Sequence, residues 1–161
     1  MAHKLVLKFY KFFFMPDKST IKKAQQDKEE GKSPGTQAGE FVHDEIEKIR
    51  KGKHGARSAK QAIAIGLSEA RRAGVKLGPP KSGSKELKRK ARRDTEKGQS
   101  HEPVSQKRSR ARIKALKKER TDTVSTSALS KQARSAAKKR SASERSASAK
   151  KAAKTRAAHE K

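Results

Sequence analysis

The sequence predicts an all-α protein: a small helical hairpin, or three short helices, followed by a long basic tail that is largely disordered or conditionally helical. Two segments between residues 36 and 73 repeat apolar residues at helical spacing, and a glycine follows each of them. Only 30% of the chain is hydrophobic, 38% is charged, and the formal net charge is +27. Such a chain cannot bury enough apolar surface to order its whole length.

Charge and composition divide the chain into three regions: residues 1–14, residues 15–78 and residues 79–161. The first fourteen residues carry three basic residues and no acid, and the next stretch, to residue 80, carries fourteen basic and nine acidic residues. The remainder carries twenty-seven basic and eight acidic residues. This excess of positive charge indicates a polyanionic partner, which is DNA, RNA or an anionic membrane surface.

The first region, MAHKLVLKFYKFFF, is an apolar and basic extension. Lys8 and Lys11 interrupt its apolar run, which is far shorter than the ~20 residues that span a bilayer. Met15 is followed by Pro16 and Asp17, which lead into a helix, so we expect translation to begin at Met15. The alternative is a short cationic membrane-surface anchor, which Phe residues interleaved with Lys would favour. Apart from this extension, a membrane partner is not expected.

The middle region contains two predicted helices before its central turn. The first, over residues 17–31, is short and polar, and Ile21 is its only large apolar residue. The second, over residues 36–51, is strongly amphipathic and ends before Gly52, which suits a left-handed C-cap. Its apolar stripe consists of Ala38, Phe41, Val42, Ile46 and Ile49.

A third predicted helix begins with a capping box of Ser58 and Gln61 and ends before Gly74. It pairs with the second helix as a hairpin, and Gly66 in its middle is expected to permit a close helix approach. Ile65 fits neither the apolar nor the polar face, so we expect a further helix or a partner to cover it. The apolar stripe consists of Ala59, Ala62, Ile63, Gly66, Leu67, Ala70 and Ala73.

The basic tail, residues 79–161, contains no aromatic residue. Ala, Lys and Arg favour helix around residues 104–119 and 127–160, but like charges repel and no continuous apolar stripe is present. Helix in the tail is therefore expected when a polyanion neutralises the charge. The missing aromatics argue against stacking on single-stranded bases, which favours duplex DNA as the partner.

The residue pattern argues against an enzyme, a cofactor, a metal site or a small-molecule substrate. The chain has no cysteine, so it lacks a thiolate nucleophile and sulfur ligands, and a reducing cytoplasm suits it. The segment GKHGARSAK does not match a phosphate-binding P-loop, and no strand precedes it. The five histidines show no paired metal-ligand spacing: His3, His43, His54, His101 and His159.

Three groups of cations are predicted to bind nucleic acid. One group, together with His54, lies in the loop before a helix N-terminus, where the helix dipole favours an anion. Another lies on the polar face of the third helix, beside Gln61 and Ser68, and the third group lies in the tail. The predicted residues are Lys53, Arg57, Lys60, Arg71, Arg72, Arg108, Arg110, Arg112, Lys138, Lys139, Arg140, Lys150 and Lys151.

An acidic face on the second helix supports a different hypothesis. Glu40, Asp44 and Glu47 lie opposite its apolar stripe, where phosphate would be repelled. This face is expected in solvent or against a basic partner, which includes a second copy of the chain in a homodimer. Together with Ile65, these residues form the predicted protein-interaction site of an adaptor.

The stretch KQAIAIGLSEARRAGVKL, preceded by EFVHDEIEKIRKGKHGARS, resembles a bacterial and phage family of short basic proteins of unknown function. The resemblance covers about residues 15–80, and some bacterial members are labelled plasmid stabilisation protein. It implies a role in DNA maintenance and supplies no catalytic residue. Separately, SASAKKAAKTRAAHEK resembles the Lys/Ala-rich tails of bacterial histone-H1-like proteins, which also implies DNA as the partner.

These observations favour a non-enzymatic DNA-binding accessory protein of the cytoplasm, associated with the nucleoid or a plasmid. In this hypothesis, the basic tail binds the phosphate backbone without strong sequence preference. The alternatives are a protein-interaction adaptor that uses the hairpin, and a basic protein associated with RNA or the ribosome.

Overall fold

The structure is a computed structural model that describes residues 16–80, 83–100 and 105–159. All regular secondary structure in these ranges is helical, which confirms the all-α class. The predictions for residues 1–14 and for a start at Met15 lie outside the described residues. The α-helices are α1 (Lys18–Glu29), α2 (Pro34–Arg50), α3 (Ala59–Arg72), α4 (Lys85–Ser100), α5 (Gln106–Leu116), α6 (Thr126–Lys138) and α7 (Ala142–His159), and a 3₁₀ turn spans Asp122–Val124.

Helices α2 and α3 form the predicted hairpin, and both ends of each helix follow from local sequence. Ser33 and Ser58 cap the N-termini, because their hydroxyls accept hydrogen bonds from the amides of Thr36 and Gln61. Gly52 and Gly74 follow the C-termini with φ of 68° and 92°, a left-handed conformation that favours glycine. The predicted extent of both helices is therefore confirmed to within about two residues.

Gly66 lies where α3 crosses α2. A Cβ atom at this position would lie 2.6 Å from the Cα of Val42, which is closer than packed atoms approach. The expectation that Gly66 permits close helix packing is confirmed. The hydrophobic core on either side of this crossing forms two clusters of fully or nearly buried residues: Ala24, Ala38, Phe41, Ala70 and Val75 in one, and Ile49, Ala56, Ala62 and Val124 in the other.

Helix α1 packs on α2 more firmly than its polar sequence predicts. Asp17 caps it, Ala24 lies in the core, and the partly buried Ile21 packs against the same cluster. Asp27 is buried at its C-terminal end, where its carboxylate accepts a 2.8 Å hydrogen bond from Lys32. A charged pair therefore assists the few apolar contacts that hold this helix.

Helix α4 packs against α3, although it begins inside the predicted disordered tail. Asp94 is buried and accepts hydrogen bonds from Ser68 at 2.7 Å and from the guanidinium of Arg72 at 2.8 and 2.9 Å. Gly98 lies so close to the end of α3 that a Cβ there would be 2.2 Å from the carbonyl oxygen of Arg71. The contact depends on a buried carboxylate and a glycine, with little apolar area.

Helix α5 and the residues after it pack on the loop between α2 and α3. Ile113 and Leu116 are buried, and the amide of Gly55 donates a 2.9 Å hydrogen bond to the carbonyl oxygen of Leu116. The 3₁₀ turn contributes Val124, which is fully buried in the cluster with Ile49. The chain thus returns to the hairpin well beyond residue 80.

The chain divides into two compact units, and the division falls between Val124 and Ser125. The predicted domain boundary near residue 79 is therefore displaced by about 45 residues, because α4, α5 and the 3₁₀ turn belong to the unit that contains the hairpin. We refer to the described residues up to Val124 as the folded unit and to those from Ser125 as the terminal unit.

The terminal unit consists of α6 and α7, and none of its described side chains is buried. Ser125 caps α6 through the amide of Ala128, and Ser141 precedes α7, where its hydroxyl accepts from the amide of Glu144. The helical preference predicted for this part of the tail is confirmed, whereas its predicted disorder is not. Among the described residues, no helix is both long and apolar enough to cross a membrane.

Candidate nucleic-acid interface

The folded unit buries four carboxylates and leaves many of its cations exposed. Asp27, Glu45, Glu69 and Asp94 are all buried, each beside basic or hydroxyl side chains of the same unit. Most Lys and Arg side chains of α4 and α5 are exposed. The cations that remain exposed on α4 and α5 therefore give this part of the surface a positive potential.

The largest buried polar cluster lies beneath the loop that joins α2 to α3. Glu45, which is 1% exposed, lies 3.6 Å from Nε2 of His54, whose Nδ1 is 3.1 Å from the carbonyl oxygen of Gly55. Burial opposes the charge on His54, but the hydrogen bond and the negative charge of Glu45 outweigh burial and raise the pKa of His54. The predicted loop histidine is thus an internal partner of Glu45.

Glu69 extends this cluster toward α5. Burial raises its pKa to about 7, even though the positive charges of Lys48 and Arg112 oppose that shift. Lys48 binds Asp44 at 2.7 Å and lies 4.0 Å from Glu69. Burial lowers the pKa of Arg112, against the attraction of Glu69. Arg112, predicted to bind phosphate, is half-buried, and its positive charge acts on Glu69.

The predicted nucleic-acid-binding face of α3 is mostly occupied inside the fold, which corrects that prediction. Arg71 is buried and donates to the carbonyl oxygens of Leu67 and Gly78, while Arg72 donates through both Nε and Nη2 to Oδ1 of Asp94. The sequence gives no sign that this face is covered, because α4 carries no apolar stripe that would predict its packing against α3. Of the three α3 cations, only Lys60 is fully exposed.

The loop before α3 has exposed cationic side chains, whereas its backbone amides form hydrogen bonds within the folded unit. Lys53 is exposed, and the side chain of Arg57 is 81% exposed. The amides of Gly55 and Ala56 donate to carbonyl oxygens of α5 and the following segment, and the amide of Arg57 donates to Gln61 Oε1. An anion bound by these amides is therefore excluded, whereas contacts through the side chains stay available.

Helix α5 presents a continuous basic face that the sequence-based selection partly missed. Arg108 and Arg110, both predicted, are exposed. The centre of the outward face follows the spacing i, i+3 and i+7, which places side chains on one side of a helix. Its members, all exposed, are Lys107, Arg110 and Lys114. The sequence contained a signal for this face, because these cations lie on the side of the helix away from the apolar Ile113 and Leu116.

The cations predicted in the terminal unit are all exposed. Lys138, Lys139 and Arg140 lie at the end of α6 and just beyond it, and Lys150 and Lys151 lie within α7. The guanidinium of Arg140 also donates a 3.0 Å hydrogen bond to the carbonyl oxygen of Glu144. Because no side chain of this unit is buried, its positive charge surrounds both helices and does not form a single face.

The predicted protein-interaction face of α2 is largely neutralised by neighbouring cations. Asp44 pairs with Lys48, and Glu47 pairs with Arg50 at 3.2 Å, so both carboxylates have partners within the helix. Glu40 is partly exposed. Ile65 is only 6% exposed inside the folded unit, so it is not available to a partner, which corrects its assignment as an interface residue.

Comparison with known proteins finds a family model that is similar to the hairpin segment. Residues 31–82 match the model of a family of unknown function, DUF6496. No curated protein and no solved structure matched the chain. The family match includes α2 and α3 and ends before α4, so the packing of α4 and α5 on the hairpin belongs to the part of the chain outside the match. Among the described residues, no group of His and acidic side chains could hold a metal ion.

Proposed function

We propose that this protein is a non-enzymatic DNA-binding accessory protein, of the cytoplasm and associated with the nucleoid or a plasmid. It contacts the phosphate backbone of duplex DNA without strong sequence preference. The observation that carries the proposal is the distribution of charge: four carboxylates are buried beside basic or hydroxyl groups inside the folded unit, while exposed cations cover α4, α5 and the terminal unit.

The outward face of α5 has dimensions that suit a phosphate backbone. Lys107 and Lys114 are seven residues apart, which corresponds to about 10 Å along a helix. Phosphates of one strand recur about every 3.4 Å along the axis of B-DNA, so cations about 10 Å apart can each contact a different phosphate. The cations of α5 are held in place because Ile113 and Leu116 anchor the opposite face.

Duplex DNA is favoured over single strands because the described residues expose no Phe, Tyr or Trp ring. Phe41 is the only aromatic residue between positions 16 and 159, and it is 1% exposed in the core. Single-strand binders commonly stack bases on exposed aromatic side chains. RNA as the partner is an outcome that the test below would reveal.

The proposed function is tested by fluorescence anisotropy with labelled nucleic acids. We expect similar affinities for duplexes of unrelated sequence, weaker binding to single strands, and a steep salt dependence. With ~6–10 phosphate contacts, affinity should fall about 10³–10⁵-fold between 50 and 200 mM salt. Absence of binding at 50 mM salt, or a clear preference for single-stranded or duplex RNA, would contradict the proposal.

A further inference from the structure

The loop between α2 and α3 meets the segment that follows α5, and we call this meeting point the loop junction. Ala56 donates its amide hydrogen to the carbonyl oxygen of Arg120 at 2.9 Å, and Thr123 Oγ1 donates to the carbonyl oxygen of Ala56 at 2.9 Å. With the bond from Gly55 to Leu116, three hydrogen bonds join the two segments. Two stretches more than 60 residues apart in sequence are thus held in fixed register.

Gly55 makes this close approach possible. A Cβ atom at residue 55 would lie 2.0 Å from the carbonyl oxygen of Glu119 and 2.6 Å from that of Arg120. These neighbours are backbone atoms, which cannot rotate away as a side chain can. Any larger residue at this position would therefore push the two segments apart.

The loop junction gathers exposed cations around a rigid base. Lys53 and Arg57 come from the loop, and Lys117, Lys118 and Arg120 come from the other segment. Two carboxylates of the described residues pair with these cations: Glu119, 3.8 Å from Arg57, and Asp122, which pairs with Arg120. Beneath them, Ala56 and Val124 are fully buried in the core. The site carries a net positive charge on a backbone that packing and hydrogen bonds hold in place.

We infer that the loop junction is a preorganised binding site for the phosphate diesters of a duplex backbone. The inference rests on the proposed function and deepens it, because it assigns an ordered site in addition to the diffuse charge of the terminal unit. A preorganised site loses less conformational entropy on binding than a segment that must be ordered at the same time. In this site Lys53, from the loop, and Lys118, from the other segment, contribute one phosphate contact each.

The test compares two full-length double variants that lose the same charge. Lys53→Gln with Lys118→Gln removes two cations of the loop junction, and Lys22→Gln with Lys23→Gln removes two exposed cations of α1. We expect the junction variant to bind duplex DNA about tenfold more weakly and to lower the slope of log K against log salt by about 2. Equal slopes and affinities for both variants would overturn the inference.

Gly55→Ala provides a second test that changes no charge. It should displace the segment around Glu119 and weaken duplex binding several-fold, while circular dichroism reports whether the helices are retained. If the variant does not fold, amide chemical shifts of the full-length wild-type protein replace it. Titration with a 12-base-pair duplex should then shift the amide signals of residues 53–57 and 117–122 more than those of α1.

Two results separate failure of the site from failure of the proposed function. Duplex binding that leaves the junction amides unchanged would overturn the inference and leave the proposed function intact, whereas absence of duplex binding would reject both. Inorganic phosphate serves as the comparison ligand at an equal phosphate concentration. Saturation of the junction shifts by inorganic phosphate at that concentration would overturn the assignment to a nucleic-acid backbone.

Discussion

The folded unit and the terminal unit are both strongly basic, but different interactions order them. From Ser125 onwards the chain contains eleven Lys and Arg residues and two acids, and its described helices bury no side chain. The folded unit has two core clusters and buries four acids among cations and hydroxyls. A basic chain can therefore fold stably where acids neutralise the interior, whereas helices without a core depend on local propensity and are marginal in water.

Deletion of residues 125–161 should have the largest effect on DNA affinity, and it tests the terminal unit apart from the folded unit. The folded unit keeps its whole core, so its cooperative thermal unfolding should shift little, whereas duplex affinity at low salt should fall about 100-fold or more because eleven cations are lost. Anisotropy and differential scanning calorimetry measure both quantities. A cut at residue 80 is unsuitable, since it removes α4, α5 and Val124 from the folded unit. Unchanged affinity after deletion would show that the terminal unit does not bind DNA.

Replacement of Gly66 by Ala tests the close packing of α3 on α2, since the terminal unit has no comparable buried contact. The added Cβ would clash with the backbone at Val42, so unfolding free energy should fall by about 1–3 kcal/mol, despite the better helix propensity of alanine. Gly39→Ala in α2 is the matched control, because no atom lies within 4 Å of its added Cβ. That variant should be neutral or stabilised by up to about 1 kcal/mol. Equal effects of the two substitutions on urea unfolding would contradict the close crossing.

The buried ionic cluster should make the stability of the folded unit depend on pH. A folded-state pKa of about 7 for Glu69, above its usual 4.5, means that its contribution to stability is present at low pH and is lost as pH rises through 7. The raised pKa of His54 acts in the same direction. We expect the unfolding free energy to be about 1 kcal/mol lower at pH 8 than at pH 6.

Glu69→Gln supplies the control for this prediction, since it mimics the protonated acid. The variant should lose most of the difference between pH 6 and pH 8 in urea unfolding. Glu86→Gln, at an exposed position of α4, should retain the wild-type dependence. A wild-type protein that is more stable at pH 8 than at pH 6 would show that ionised Glu69 is well compensated by Lys48 and Arg112.

The hairpin could be predicted from the sequence because its signals are local. Apolar periodicity, serine N-caps and the glycines at positions 52 and 74 specify α2 and α3 almost completely. Helix α4 could not be predicted, because its contact with α3 depends on Asp94 and Gly98, and a buried carboxylate has no periodic pattern. Ile65 was the one residue whose position indicated that another element covers this side of α3. It shares a helix face with Ser68 and Arg72, the residues that contact Asp94.

The same reasoning explains why the candidate site was only partly predicted. The sequence marks every Lys and Arg as a potential phosphate contact, but it does not show which cations already have internal partners. Arg71, Arg72 and Arg112 are engaged inside the folded unit, while Lys107 and Lys114, which were not selected, lie on its surface. Long-range packing, which brings residues 53–57 to residues 116–122, decides between these outcomes.

The smallest predicted effect concerns helix α6, whose order should depend on local propensity alone. Ala136→Gly with Ala137→Gly costs about 1 kcal/mol per residue in an exposed helix interior. Because α6 buries nothing, the loss should appear as reduced helix signal in far-ultraviolet circular dichroism, with no change in the unfolding midpoint of the folded unit. Duplex DNA should restore part of the signal, since neutralised cations no longer repel one another along the helix. A shifted midpoint would instead mean that the terminal unit contributes to the stability of the folded one.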